Sequence, residues 1–233
     1  MNYIDIAIIA VIGISTLVGM YNGFTVSFLN IISYICSWLG ALILHPTVSK
    51  FITNRYPDFL EKVIYYTEGA SNIPIDERVV SVASLGQEKI NQIVSMSGLP
   101  YPFDKILTSN LLKGAIKGLE NLGQYFDYIV ANIIINLISF LIVFFIIRIV
   151  FSIIISIAKN VTNLPVLKQF DTLMGAGLGA IRGILFLFVI FAFVPILLAL
   201  APIDIIYKYI EGSIFAQFFL RGNIFTSLLR GII

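Results

Sequence analysis

Two long apolar stretches open the chain, a long polar stretch follows, and two further apolar stretches come after it. Residues 4–21, IDIAIIAVIGISTLVGMY, carry a single charge, Asp5, and residues 24–44 carry none. Between 45 and 128 there are nine acidic and eight basic residues. Residues 129–158 are then apolar except for Arg148 and scattered small polar groups, and residues 174–200 are apolar around Arg182. Each apolar stretch is close to or above the roughly 20 residues that a helix needs to cross a hydrocarbon core. The third is long enough, at about 45 Å, to exceed that core, so it must tilt, bend or protrude. The pattern predicts an all-α integral membrane protein with four transmembrane helices, a long amphipathic helical region between helices 2 and 3, and a C-terminal interfacial helix.

Local signals set the boundaries. Asn22-Gly23 is a tight-turn dipeptide that makes the first two helices an antiparallel hairpin, and His45-Pro46 is expected to end the second. In the polar stretch, residues 47–69 predict one or two short amphipathic helices interrupted at Pro57, and residues 77–96 predict another. Residues 105–128 give the clearest case, with Leu107, Leu111, Ala115, Leu119, Leu122 and Phe126 at spacings of three and four. Residues 97–103 and 159–171 read as loops. The tail from 203 mixes aromatic and apolar residues with Lys208, Arg221 and Arg230, as interfacial helices do. The organisation is therefore a transmembrane hairpin in 1–44, an amphipathic, interfacial helical loop in 45–128, transmembrane helices 3 and 4 in 129–200, and an interfacial tail in 201–233.

Composition strengthens this reading. Of 233 residues, 58% are hydrophobic and 12% charged, where soluble domains carry about a quarter charged residues. A net charge of +2 is too small to indicate nucleic acid. The single cysteine, Cys36, excludes an internal disulfide. No Lys or Arg precedes Lys50, so the first stretch lacks the basic leader of a secretory signal and is expected to stay in the mature protein. Asn2 with Asp5 three residues on resembles a capping box at the positive end of the helix dipole.

Residues 175–180, GAGLGA, match the dinucleotide-binding pattern letter for letter. That pattern needs a buried strand before it and a ribose-binding acid about 20 residues later. Here KQFDTLM precedes it and apolar residues follow, which excludes a nucleotide. Gly175, Gly179 and Gly183 instead recur at every fourth position, the small-residue spacing that brings membrane helices together. Ser15, Gly19 and Gly23 repeat it in the first helix, so these six residues are the candidate helix-packing surface. Arg148 and Arg182 sit near one membrane face, where the simple expectation is snorkelling to lipid phosphates. The sharper one is a charge latch with Asp171.

Catalytic, cofactor-binding and metal-ligating residues are not predicted. His45 is the single histidine, at a helix end without ligand types at metal spacing, and no nucleophile or phosphate-loop motif occurs. The carboxylates of 45–128 are balanced by nearby basic residues and read as a solvated face. Asn132, Asn136 and Ser139 share one face of the third helix, which suggests helix-helix contacts ahead of an ion path.

An acid early in helix 1 (Asp5), Gly19-x-x-x-Gly23-Phe24 at the hairpin, and Asp171-x-x-x-Gly175-x-x-x-Gly179-x-x-Arg182-Gly183 together resemble the colicin V production protein (CvpA) family. The resemblance covers roughly residues 1–50 and 125–200. Met20, Tyr21 and Asn22 stand where members often carry basic residues, and the middle region is longer than in compact members. The resemblance implies an integral, multi-pass protein of the bacterial cell membrane linked to production or export of the peptide toxin colicin V, without an agreed biochemical activity. The expected role is a non-enzymatic accessory or scaffold in toxin export or envelope maintenance, with a small channel or transporter subunit as the alternative. The expected partners are the lipid bilayer and other membrane proteins or further copies of the chain. Basic residues near the helix ends are almost balanced, with a slight lean to the short loop inside and both termini outside.

Overall fold

The structure, a computed structural model, describes residues 2–68, 73–97, 103–112, 119, 121–161, 168–200 and 204–222. It is all-helical, and among these residues the sole strand-like feature is a bridge between Ser81 and Asn121. The helices are α1 (Tyr3–Arg55), α2 (Pro57–Glu68), α3 (Ile75–Arg78), α4 (Gln87–Met96), α5 (Phe103–Leu112), α6 (Leu122–Val161), α7 (Lys168–Leu200), α8 (Asp204–Glu211) and α9 (Ile214–Arg221). Three of them, α1, α6 and α7, are long and apolar enough to cross a membrane.

α1 is not one rod. Gly23 has φ 75° and ψ 177°, outside the helical region, and it alone separates a first arm (3–22) from a second (24–55). Ser27 Oγ donates to Gly19 O at 3.3 Å across eight residues. An unbroken helix would hold those positions about 12 Å apart, so the chain doubles back at Gly23. A residue with a Cβ rarely adopts this φ.

The expected stop at His45-Pro46 does not occur, because α1 continues through Pro46 to Arg55. Proline has no N–H, and a helix through position 46 leaves the carbonyl of Leu42 without its usual donor. His45 supplies a replacement: its Nδ1 lies 2.9 Å from Leu42 O and 3.1 Å from Ala41 O, so it carries the hydrogen. The ring is buried and packs edge-on to Phe140 at 6.2 Å. The second proline, Pro57, does break the helix and opens α2, where a missing N–H costs nothing.

The chain divides into two compact units. One comprises Met1–His45, Phe140–Ala192 and Asp204–Phe225, and the other comprises Pro46–Ser139, Phe193–Ile203 and Thr226–Ile233. The second unit holds an apolar core, gathering Ile90, Ile93 and Val94 of α4, Leu107 and Leu111 of α5, and Leu122, Tyr125, Ile129, Ile133 and Leu137 of α6. The amphipathic helix expected over 105–128 is interrupted: Leu119 and Asn121 are not helical, and α6 starts at Leu122, where Asn121 Oδ1 accepts from Gln124 N at 2.9 Å. Ala115 lies outside the described residues. The helix expected over 77–96 is likewise broken, since Gly86 is extended and only α4 follows it. One carboxylate of this region departs from the solvated-face reading: Asp127 is 4% exposed and pairs with Arg78 at 2.5 Å.

In the first unit the outer face of α6 presents Ile146, Ile149, Ile153 and Ile157, all more than half exposed. An unbroken apolar stripe suits contact with hydrocarbon. The inner side of α6 runs antiparallel to the second arm of α1, with Tyr34 beside Phe144, His45 beside Phe140, and Gly40 against Ile147.

Candidate functional site

The predicted packing residues converge on one seam. α7 runs antiparallel to the first arm of α1 so that Gly175 faces Gly19 and Gly23, Gly179 faces Ser15 and Gly19, and Gly183 faces Ile12 and Ser15. The approach is backbone to backbone: a Cβ added at Gly179 would lie 2.5 Å from Ser15 O and 2.9 Å from Gly19 Cα. By contrast, a Cβ at Gly13 would meet nothing within 4 Å. Contact this close lets Ser15 Oγ donate to the helical carbonyl of Gly179 at 2.7 Å.

Asp171 stands at the end of this seam. Its Oδ1 accepts from Phe24 N at 2.8 Å, so the carboxylate caps the second arm of α1 from the first turn of α7. Its Oδ2 occupies the place that a side chain at Gly23 would fill. The geometry therefore gives Gly23 two reasons to be glycine, its positive φ and the carboxylate against it.

The structure does not join Asp171 to either arginine. Among the described residues the ion pairs are Arg78–Asp127 and Lys89–Glu77. Arg182 turns to the first arm, with Nε 3.1 Å from Ser15 Oγ and Nη2 3.4 Å from Ser15 O. Arg148 turns to the second arm, donating to Ser33 Oγ at 2.6 Å and Asn30 Oδ1 at 2.9 Å and lying 4.3 Å over the Tyr34 ring. The reason is reach: Asp171 is already held by the hairpin backbone, and each arginine meets a polar residue on the arm beside it. Asn30, Ser33 and Ser37 form a legible polar stripe at helical spacing in an otherwise apolar segment, and two of them, Asn30 and Ser33, are the partners of Arg148.

Both arginines line a cavity of about 320 Å³, together with Ile14, Ser15, Tyr34 and Phe186. Ser15 precedes Gly23 by 8 positions and Arg182 follows Asp171 by 11. The cavity is thus about 12–16 Å of helix away from the hairpin tip, comparable with half of a hydrocarbon core about 30 Å thick.

A second junction forms at the other end of the first arm. Asp5 Oδ2 accepts from Asn2 N at 3.1 Å, as a capping box does. Its Oδ1 accepts from Ser213 Oγ at 2.6 Å and Phe215 N at 3.2 Å, while Ser213 itself caps α9 by accepting from Ala216 N at 3.0 Å. Asn2 Nδ2 bonds to Tyr209 O. Phe219 of α9 packs against Phe188 and Phe191 of α7 at 4.9 and 5.5 Å. The start of the chain and its tail helices are therefore bound together, and Ser213, a serine just ahead of an amphipathic run, carried the sequence signal.

The elements that these contacts unite, an acid in the first helix, the glycine-phenylalanine hairpin and the Asp-Gly-Gly-Arg-Gly helix, point to one family. The sequence model of the colicin V production protein matches residues 4–107 and 106–223. The chain belongs to that family. No curated protein and no solved structure matches it significantly. The family's name and the apolar helices make this a membrane protein linked to colicin V production. The motif residues of this chain have a physical meaning here: Gly19, Gly23 and Phe24 form one side of the seam, and Asp171, Gly175, Gly179 and Gly183 form the other.

Proposed function

We propose that this protein is a non-enzymatic accessory or scaffold component of the bacterial cell membrane, serving export of a colicin V type toxin and maintenance of the envelope. The observation that carries the reading is the glycine seam, where two helices meet through their backbones. Such an interface suits a rigid platform better than a moving gate, because any sliding would bring Cα and carbonyl atoms into collision. The polar residues of α6 support the same view: Ser139 Oγ donates to Ile135 O at 2.8 Å and Asn132 Nδ2 to Tyr128 O at 2.8 Å, each within its own helix. The reversal at Gly23 supports reading α1 as two membrane crossings, which with α6 and α7 make four spans.

Affinity purification from bacterial membranes, with identification of co-purifying proteins, tests the scaffold role. Recovery of envelope or export proteins that depend on an intact Gly179 supports it, and recovery of the chain alone counts against it. A reporter fused after Ile233 tests the orientation, with an outside signal expected. The alternative, a small channel or transporter subunit, draws on the arginine-lined cavity. Solute or ion flux through liposomes holding the purified chain alone would favour that alternative.

A further inference from the structure

The guanidinium groups of Arg148 and Arg182 have been given only neutral partners: two serines, an asparagine, a backbone carbonyl and a tyrosine ring. These bonds use fewer N–H donors than the two groups possess, and they neutralise no charge. No carboxylate lies within ion-pair distance of either group among the described residues. Two uncompensated cations on the wall of one cavity inside a membrane segment are costly, and the cost is relieved by an anion. We propose that this cavity is a binding site for a phosphate group, with Arg148 and Arg182 as the two clamps and Ser15 and Tyr34 as the polar wall between them.

The chemistry favours phosphate over a point anion because guanidinium offers planar, paired donors that match phosphate oxygens. The size fits as well: about 320 Å³ is at the small end of ligand sites, enough for a headgroup but not for acyl chains. Those chains have a place outside, since Ile14 lines the cavity and is 63% exposed, and Leu17 one turn away is 65% exposed. The same phosphate chemistry could arrive on a lipid or as a free ion. This inference stands apart from the scaffold reading, and either can fail without the other.

The test is native mass spectrometry of the full chain in detergent, titrated separately with phosphatidylglycerol, with diacylglycerol of the same acyl length, and with inorganic phosphate. One phosphatidylglycerol bound per chain, with diacylglycerol inert, supports a lipid headgroup site, and binding of inorganic phosphate with comparable affinity supports a site for the free ion. Arg148→Gln and Arg182→Gln are expected to weaken the bound species at least tenfold, and Arg182→Lys less. Equal binding of diacylglycerol, no binding of either phosphate probe, or binding indifferent to both glutamine substitutions overturns the proposal. If the glutamine variants do not fold, the unaltered chain decides: a phosphate-bearing probe must raise its melting temperature while diacylglycerol does not, and failure of that contrast overturns it equally.

Discussion

Replacing Gly179 by alanine adds one methyl group in the middle of the seam, where the two backbones touch. That methyl would sit 2.5 Å from Ser15 O, 2.9 Å from Gly19 Cα and 3.1 Å from Thr16 Cα, all backbone atoms that cannot rotate away. Ordinary contact is about 3.5–4.0 Å, so the first arm of α1 has to retreat by about 1 Å. Overpacking of this kind costs about 1–3 kcal/mol. The retreat also stretches the bond from Ser15 Oγ to Gly179 O, now 2.7 Å, beyond bonding range, which adds about 0.5–1.5 kcal/mol. A loss of about 3 kcal/mol is expected. Gly13→Ala, in the first arm of α1 but off the seam, meets nothing within 4 Å and gains up to about 1 kcal/mol of helix propensity. Both variants are to be unfolded by titrating sodium dodecyl sulfate into detergent micelles while following circular dichroism. A difference of about 3–4 kcal/mol between them is the expected result. If the two alanines shift stability by the same amount, the seam is not what holds α7 to the hairpin, and the packing argument fails.

His45→Ala should cost about 1–3 kcal/mol by leaving the Leu42 carbonyl without a donor, and should cost at least about 1 kcal/mol less in a Pro46→Ala background, where the backbone N–H is restored; additive effects in that double-mutant cycle would refute the repair. Asp171→Ala should cost about 0.5–2 kcal/mol through loss of the cap on Phe24 N, seen as faster amide exchange at residues 24–26, and unchanged exchange there would refute the cap. Ser213→Ala removes both the α9 cap and the tie to Asp5, so amides 214–216 should exchange faster while those of α4 do not change. Arg78→Ala leaves the Asp127 carboxylate buried without that partner and should cost about 3–5 kcal/mol, measured by thermal unfolding; a loss below about 1 kcal/mol would show that Asp127 reaches solvent.

Much of this was readable from local pattern. The apolar runs, the turn at Asn22-Gly23, the four-residue glycine period and the capping box at Asn2 and Asp5 are all short-range signals, and each corresponds to a local feature of the structure. The boundaries that differ do so for separate reasons. His45-Pro46 looks like a stop because proline lacks a donor, yet a side chain one position away replaces that donor. Residues 105–128 look continuous because periodicity registers a buried face and says little about where a helix restarts, which here is settled by Asn121.

Partners of charged groups were a different matter. Sequence places Asp171, Arg148 and Arg182 near one another along the chain's hydrophobic map, and opposite charge makes a latch the natural expectation. The tertiary structure assigns them otherwise, because hydrogen-bonding partners are chosen by distance and direction. Asp171 lies against the backbone of the turn, and the arginines face polar groups on the two arms of α1. What the sequence determined by itself was the solvent of the protein and the small residues that let its helices touch, since hydrophobic length and missing Cβ atoms act locally. What only the tertiary structure decided was which polar group meets which, and hence that two cations share a cavity with no carboxylate paired to them among the described residues.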